Sequence, residues 1–252
     1  NQIYDLETDK INNKTRIIDN FITIDSSKFF SFVFLFIGFL LIALIDFLVV
    51  LPMMVLYAIC GMLYTNQNLN FKQNAFMNFL FYIVLAFLLI LSGLIYSRNE
   101  MNIIILFILS LRYILLFLLF YGAVVLAINI LDQEGDRETN RLTIPQNIGV
   151  KLTSIVAFGM CLFSFFIGLY LQEPLSVVCS ISSVSFFIYL IFRGKEKDVI
   201  RSIRYPILLI NFYLFMIYPL LFYPIVVTYY ISKYYYWHRF SLHYPTLLVD
   251  ND

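Results

Sequence analysis

Seven apolar stretches, each about as long as a bilayer is thick, constrain the fold of this chain more than any other feature. A helix needs about 20 mostly apolar residues to cross the hydrocarbon core, where only helices and closed barrels satisfy their backbone. The composition agrees: 61% of the residues are hydrophobic and 13% charged, against about a quarter charged in soluble domains. We therefore predict an all-α, polytopic integral membrane protein with spans at about 29–46, 47–64, 75–97, 103–130, 150–171, 174–193 and 206–231.

A polar island, residues 129–149, separates the fourth span from the fifth. Asn129, Asp132 and Asp136 within it are three and four residues apart, so a helix would place them on one face. Mg²⁺ prefers oxygen ligands and is usually held by one or two carboxylates together with substrate phosphates. The island therefore predicts a magnesium site that faces a phosphate-bearing ligand.

A second acidic cluster, with the same helical spacing, opens the chain. Asn1, Asp5 and Asp9 recur every four residues, and Arg16 follows them. Four spans separate the two clusters, and an even number places both on the same membrane face. Cytoplasmic loops carry an excess of Lys and Arg, which predicts that this face is cytoplasmic. Every Lys and Arg of the chain is expected on this face except Arg98, Arg112, Lys233 and Arg239.

The two clusters together resemble the paired aspartate-rich motifs of the UbiA superfamily of intramembrane prenyltransferases. The first reads Asn-x-x-x-Asp-x-x-x-Asp, and the second reads Asp-x-Glu-Gly-Asp-Arg, followed by Thr-x-Pro-x-x-x-Gly after five residues. The resemblance implies a single transmembrane prenyltransferase domain over residues 1–252. It also implies a ring of nine helices around a cavity that opens to the acidic face. Seven of these would be visible, and the chain is expected to be truncated before Asn1.

This resemblance implies transfer of an isoprenyl group from an allylic polyprenyl diphosphate to an aromatic or glyceryl phosphate acceptor in the lipid bilayer. The reaction would be a Mg²⁺-assisted ionisation to a prenyl carbocation. The implied catalytic residues are Asp5, Asp9, Asp132 and Asp136, and the implied metal ligands are these four with Asn1 and Asn129. Tyr64 and Lys72 resemble a family segment in which Lys follows Tyr by eight residues. The residues expected to bind the diphosphate are Arg16, Tyr64, Lys72, Arg137 and Arg141.

Two alternatives stay open. One is a membrane transporter or ion pathway, because acidic residues inside membranes also mark ion and proton routes, although such sites lie near the midplane and these clusters lie at span ends. The chain also has Ile17 where the family usually has Pro, which is compatible with a catalytically silent UbiA-like binding protein. Nucleic acid is not an expected partner, because the basic residues form no continuous run.

Overall fold

Helices make up nearly all of the described chain. The computed structural model describes residues 23–64, 74–97, 102–138 and 142–241, and these ranges contain no strand, which confirms the all-α prediction. The helices are α1 (Ile24–Ile45), α2 (Phe47–Tyr57), α3 (Ala75–Tyr96), α4 (Ile103–Leu131), α5 (Gln133–Glu138), α6 (Ile144–Ile148), α7 (Val150–Leu171), α8 (Pro174–Arg193), α9 (Glu196–Ile217) and α10 (Phe222–Phe240), with a π-helical turn (Ala58–Leu63) and a 3₁₀ turn (Pro219–Leu221).

Six helices in the described ranges are long and apolar enough to cross a membrane. They are α1, α3, the Tyr113–Leu131 part of α4, α7, α8 and α9. The predicted span at 47–64 is instead an 11-residue α-helix extended by the π-helical turn, which is short for a full crossing. The polytopic membrane bundle is therefore confirmed, with one of its apolar segments shorter than predicted.

The predicted span at 206–231 is wrong at both ends. α9 begins ten residues earlier than predicted, at Glu196, and carries Glu196 and Asp198 in its first turn. Acidic side chains stabilise a helix N-terminus, so charges that suggested a loop belong to the helix. α9 ends at Ile217 because Pro219 has no N–H to continue the helical hydrogen bonding, and α10 begins after the 3₁₀ turn.

Polar side chains cap the N-termini of several helices. Asn74 Oδ1 accepts a hydrogen bond from the Phe76 N–H at 3.0 Å, at the start of α3. Asp46 Oδ1 accepts from the Leu48 N–H at 3.0 Å, and the extended backbone of Asp46 separates α1 from α2. Such caps satisfy backbone donors that have no partner within the helix.

Neighbouring helices run antiparallel, which sorts their ends onto two sides of the bundle. The Phe87 ring of α3 lies 6.1 Å from the Phe107 ring near the start of α4. Late in α4, a Cβ added at Gly122 would lie 3.2 Å from Phe79, near the start of α3. α7, α8 and α9 follow through short connections. The end of α4, the start of α7 and the α8–α9 connection therefore share one end of the bundle.

The C-terminal part of α4 is the centre of this bundle. A larger share of its apolar stretch is buried than in any other described span. Ser164 Oγ on α7 donates to the Leu116 carbonyl of α4 at 3.2 Å and accepts from Ser180 Oγ on α8 at 3.0 Å, so polar contacts join three helices. The residues that follow α4 therefore extend from the most tightly packed helix of the bundle. The buried core comprises Phe120, Ala123, Val124, Leu126, Ala127, Ile130, Ala157, Cys161, Cys179, Val184, Phe187, Leu190 and Val199.

Candidate metal and diphosphate site

The end of α4 continues its helical hydrogen bonding into the polar island. The Asp132 N–H donates to the Ile128 carbonyl at 3.0 Å, and the Asp136 N–H donates to the Asp132 carbonyl at 3.1 Å. Asp132 ends α4, and α5 begins at the next residue. Asn129, Asp132 and Asp136 therefore follow one another at helical spacing along one side, as the sequence pattern predicts.

Burial distinguishes the acidic residues of this segment from one another. Asp136 is only 8% exposed and Asp132 is half-buried, whereas Glu134 and Glu138 are exposed. Because a buried carboxylate is costly unless it is paired, hydrogen-bonded or bound to a metal, the inward position of Asp136 indicates a polar site. Glu134 lies outside that site, as the sequence pattern also indicates.

Asn129 contributes a buried amide that lacks a hydrogen bond. The residue is 4% exposed, and its Nδ2 has no partner within the described part of the chain. Leaving such a group unpaired costs about 1–3 kcal/mol. An amide can offer its oxygen to a cation and its N–H groups to a carboxylate or phosphate oxygen. The position therefore suits a ligand, or a side chain from outside the described ranges, that completes this bonding.

The chain after the acidic residues folds back and is tied to α5 by Gln146. The Thr143 N–H donates to Gln146 Oε1 at 3.2 Å, and Gln146 Nε2 donates to the Gln133 carbonyl at 3.4 Å. Thr143 is fully buried at the N-cap of α6, and Gly149 connects α6 to α7 with φ 84°. The candidate residues chosen from sequence did not include Thr143 or Gln146. The Thr-x-x-Gln spacing of a capping box is the signal that identifies them.

Tyr64 is held at the end of the π-helical turn that follows α2. Its hydroxyl donates to Asn78 Oδ1 at 2.9 Å, and its ring centroid lies 5.1 Å from that of Phe81. Asn78 is 7% exposed and lies near the start of α3, at the end of the bundle where α4 finishes. Sequence reasoning did not single out Asn78, although a polar residue within an apolar run was the available signal.

The remaining predicted site residues divide into two groups. Arg137 is described and is exposed in α5. In the described ranges, no group of three or more His, Cys, Asp and Glu residues could hold a metal. The oxygen donors of Asn129, Asp132 and Asp136 fit part of a Mg²⁺ site, and further ligands are expected from the first cluster. The predicted site residues that lie outside the described ranges are Asn1, Asp5, Asp9, Arg16, Lys72 and Arg141.

Comparison with known proteins decides the family. The model of the UbiA prenyltransferase family matches residues 1–205, which include both acidic clusters. The chain belongs to the UbiA prenyltransferase family. No curated protein and no solved structure matches it. Membership of the UbiA family implies intramembrane prenyl transfer in general, and the prenyltransferases of this family generally depend on a divalent metal.

Proposed function

We propose that this UbiA-family protein transfers an isoprenyl group from an allylic polyprenyl diphosphate to an aromatic or glyceryl phosphate acceptor. The observation that carries the proposal is the series of buried Asn129, half-buried Asp132 and buried Asp136 at the end of the central helix, in a chain of this family. A site on the best-packed helix keeps its donors in place, which favours binding of a defined ligand.

Asp132 and Asp136, with Asn129, would hold Mg²⁺, and Asn1, Asp5 and Asp9 would supply the matching ligands from the first cluster. When bound, Mg²⁺ neutralises the diphosphate and makes it a better leaving group. Arg16, Lys72, Arg137 and Arg141 would donate to the outer diphosphate oxygens, for which the planar fork of arginine is well suited. Tyr64, whose hydroxyl bonds to Asn78, would present its ring to the same ligand.

An apolar groove between α1 and α2 suits part of the isoprenoid chain. It has a volume of about 300 Å³, and its lining includes Phe34, Phe39, Met53 and Tyr57. That volume is at the lower end of the roughly 300–1,000 Å³ of organic ligand sites. A hydrocarbon chain would pack there against apolar side chains without leaving any polar group unpaired.

The proposed transfer breaks the carbon–oxygen bond of the allylic diphosphate, and the electron pair leaves with the diphosphate. The acceptor forms a bond to the resulting allylic cation and then loses a proton. Exclusion of water limits hydrolysis of that cation, and aromatic faces stabilise it. The bundle suits this reaction because the acidic end adjoins an apolar interior.

The decisive assay uses the full-length protein in lipid nanodiscs. We would supply radiolabelled geranylgeranyl diphosphate and a panel of aromatic and glyceryl phosphate acceptors, with Mg²⁺ or with EDTA. Mg²⁺-dependent formation of a prenylated product supports the proposal. Tight diphosphate binding with no product from any acceptor would favour a catalytically silent relative.

Asp132→Asn, compared with Glu134→Gln, tests the role of the acidic series. Both substitutions remove one negative charge from residues 132–138, but Asp132 is half-buried whereas Glu134 is exposed. We expect Asp132→Asn to lower turnover by about 100-fold or more, equivalent to about 2.7 kcal/mol of transition-state stabilisation. Glu134→Gln should stay within about twofold of the parent, as expected for an exposed surface substitution. Equal activity of the two variants would contradict the proposal. If both are fully active and a proton or ion flux is observed, the ion-pathway alternative gains support.

A further inference from the structure

A small pocket at the α8–α9 connection carries charge that the proposed prenyl transfer does not use. It has a volume of about 180 Å³ and is lined by Phe186, Tyr189, Arg193, Asp198 and Arg201. This is below the roughly 300–1,000 Å³ of pockets that enclose organic ligands, so the pocket fits a small polar group. It lies at the same end of the bundle as the acidic series.

One buried carboxylate positions two arginines in this pocket. Asp198 is 1% exposed, and its Oδ1 accepts a hydrogen bond from Arg201 Nη1 at 3.1 Å. Arg193 Nε lies 3.2 Å from Asp198 Oδ2 as an ion pair, but Oδ2 receives no hydrogen bond from the described residues. Two guanidinium groups around one carboxylate leave one uncompensated positive charge.

The arginines keep most of their donors for another partner. Each guanidinium has five N–H donors, and among the described residues each meets Asp198 through a single nitrogen. The side chains are 45% and 32% exposed for Arg193 and Arg201, so the pocket is open to a ligand. A planar guanidinium group can bind two phosphate oxygens through two parallel hydrogen bonds. Because one carboxylate is shared by the two arginines, N–H donors of both arginines are left for such a ligand.

The surroundings place this charge at the membrane surface. Tyr189 and Phe192 are 56% and 84% exposed on the last turns of α8, where a membrane span ends. The Arg193 guanidinium lies 6.0 Å from the centre of the Tyr189 ring, so the charge and the aromatic wall are adjacent. Basic pockets between spanning helices at this depth are typical binding places of phosphate-bearing headgroups.

We propose that the Arg193–Asp198–Arg201 pocket binds a phosphate group at the membrane surface, from a phospholipid headgroup or from a small phosphate ester. Asp198 is a positioning residue that aims both guanidinium groups. This site is separate from the proposed Mg²⁺ site, and its test does not depend on catalysis.

The experiment compares Arg201→Gln and Arg193→Gln with Lys195→Gln in the full-length protein. Each change removes one positive charge from the α8–α9 segment, but Lys195 is exposed and does not line the pocket. Each arginine variant leaves Asp198 one arginine partner, which protects folding. Size-exclusion chromatography and thermal unfolding would establish that each variant is folded, and Arg193→Gln carries the test if Arg201→Gln is unstable.

Two readouts distinguish the sources of phosphate. Native mass spectrometry would measure retention of phosphatidylglycerol, with phosphatidylcholine as the comparison lipid. Thermal shift would measure binding of glycerol 3-phosphate and inorganic phosphate. We expect the arginine variants to bind about tenfold more weakly, as for loss of one charge-assisted hydrogen bond, and Lys195→Gln to bind as the parent does. Selective loss of phosphatidylglycerol identifies a headgroup, and selective loss of the soluble-phosphate shift identifies a phosphate ester. Equal binding of both probes by all variants would overturn the proposal.

Discussion

Asn129 lies in the last turn of α4 with its Nδ2 buried and without a hydrogen-bond partner in the described ranges. Replacing it with Leu, of similar size, removes the unpaired amide. If the amide serves a ligand, Asn129→Leu should raise the free energy of unfolding by about 1–3 kcal/mol while lowering prenyl transfer. Thermal unfolding and turnover would be measured on the same preparation. Asn211→Leu is the control, because its Nδ2 already donates to the Ile207 carbonyl in α9. Unchanged turnover in Asn129→Leu would mean that the amide has no functional role.

The hydrogen bond between Tyr64 and Asn78 joins the end of the α2 segment to α3. Tyr64→Phe removes the hydroxyl but leaves the buried Asn78 oxygen without that donor. We expect Tyr64→Phe to reduce stability by about 1 kcal/mol, and a double variant with Asn78→Leu to be less destabilised than the two single changes added together. A double-mutant cycle by thermal or denaturant unfolding measures this coupling. Additive effects would show that the 2.9 Å contact contributes no stability.

Among individual residues, the sequence pattern predicted those that recur at helical spacing. It missed those whose contacts form only when the chain folds back on itself. Asn129, Asp132 and Asp136 are recognisable because their spacing alone puts them on one side. Asn78 was not, because its partner, Tyr64, is 14 residues away, and the contact of Gln146 with the Gln133 carbonyl, 13 residues away, also has no local signal. Only the path of the chain between the helices brings such pairs together.

Among the elements, the connection between α6 and α7 depends on the backbone of Gly149. Its φ of 84° and ψ of 155° belong to a region that is essentially restricted to glycine. Gly149→Ala should therefore destabilise the protein by about 1–3 kcal/mol, although nothing lies within 4 Å of the added Cβ.

Gly159→Ala in α7 is the matched control, since its added Cβ would also meet open space but its backbone is helical. There we expect a neutral or slightly stabilising effect. The same unfolding assay applied to both variants separates backbone strain from steric contact, and equal stability would contradict this explanation.

The helices themselves were largely predictable, because an apolar run and its polar cap are both local. The predicted spans 150–171 and 174–193 coincide with α7 and α8. The prediction failed at 206–231 because charged residues were assigned to a loop, whereas Glu196 and Asp198 open a helix and Asp198 is buried against two arginines. A hydropathy pattern carries no information about such ion pairs, which form only in the folded chain.

For the whole molecule, the antiparallel arrangement has a consequence for sidedness. It puts the acidic series, the start of α7 and the Arg193–Asp198–Arg201 pocket at one end, while the α7–α8 connection lies at the other. The excess of Lys and Arg predicts that the acidic end faces the cytoplasm. The diphosphate group of the donor and a phosphate group at the membrane surface would then approach from the same side of the membrane.

Cysteine labelling in oriented vesicles tests this arrangement. Glu138→Cys and Lys195→Cys report on the acidic end, and Gln172→Cys reports on the opposite end; all three positions are exposed. A membrane-impermeant maleimide should label the first two only in inside-out vesicles and the third only in right-side-out vesicles. The parent protein gives the background: Cys161 and Cys179 are buried, and the half-buried Cys60 lines the apolar α1–α2 groove. Labelling of Glu138→Cys and Lys195→Cys from opposite sides would contradict the antiparallel bundle. Labelling of both only in right-side-out vesicles would preserve the fold but reverse its orientation, so the diphosphate site would open away from the cytoplasm.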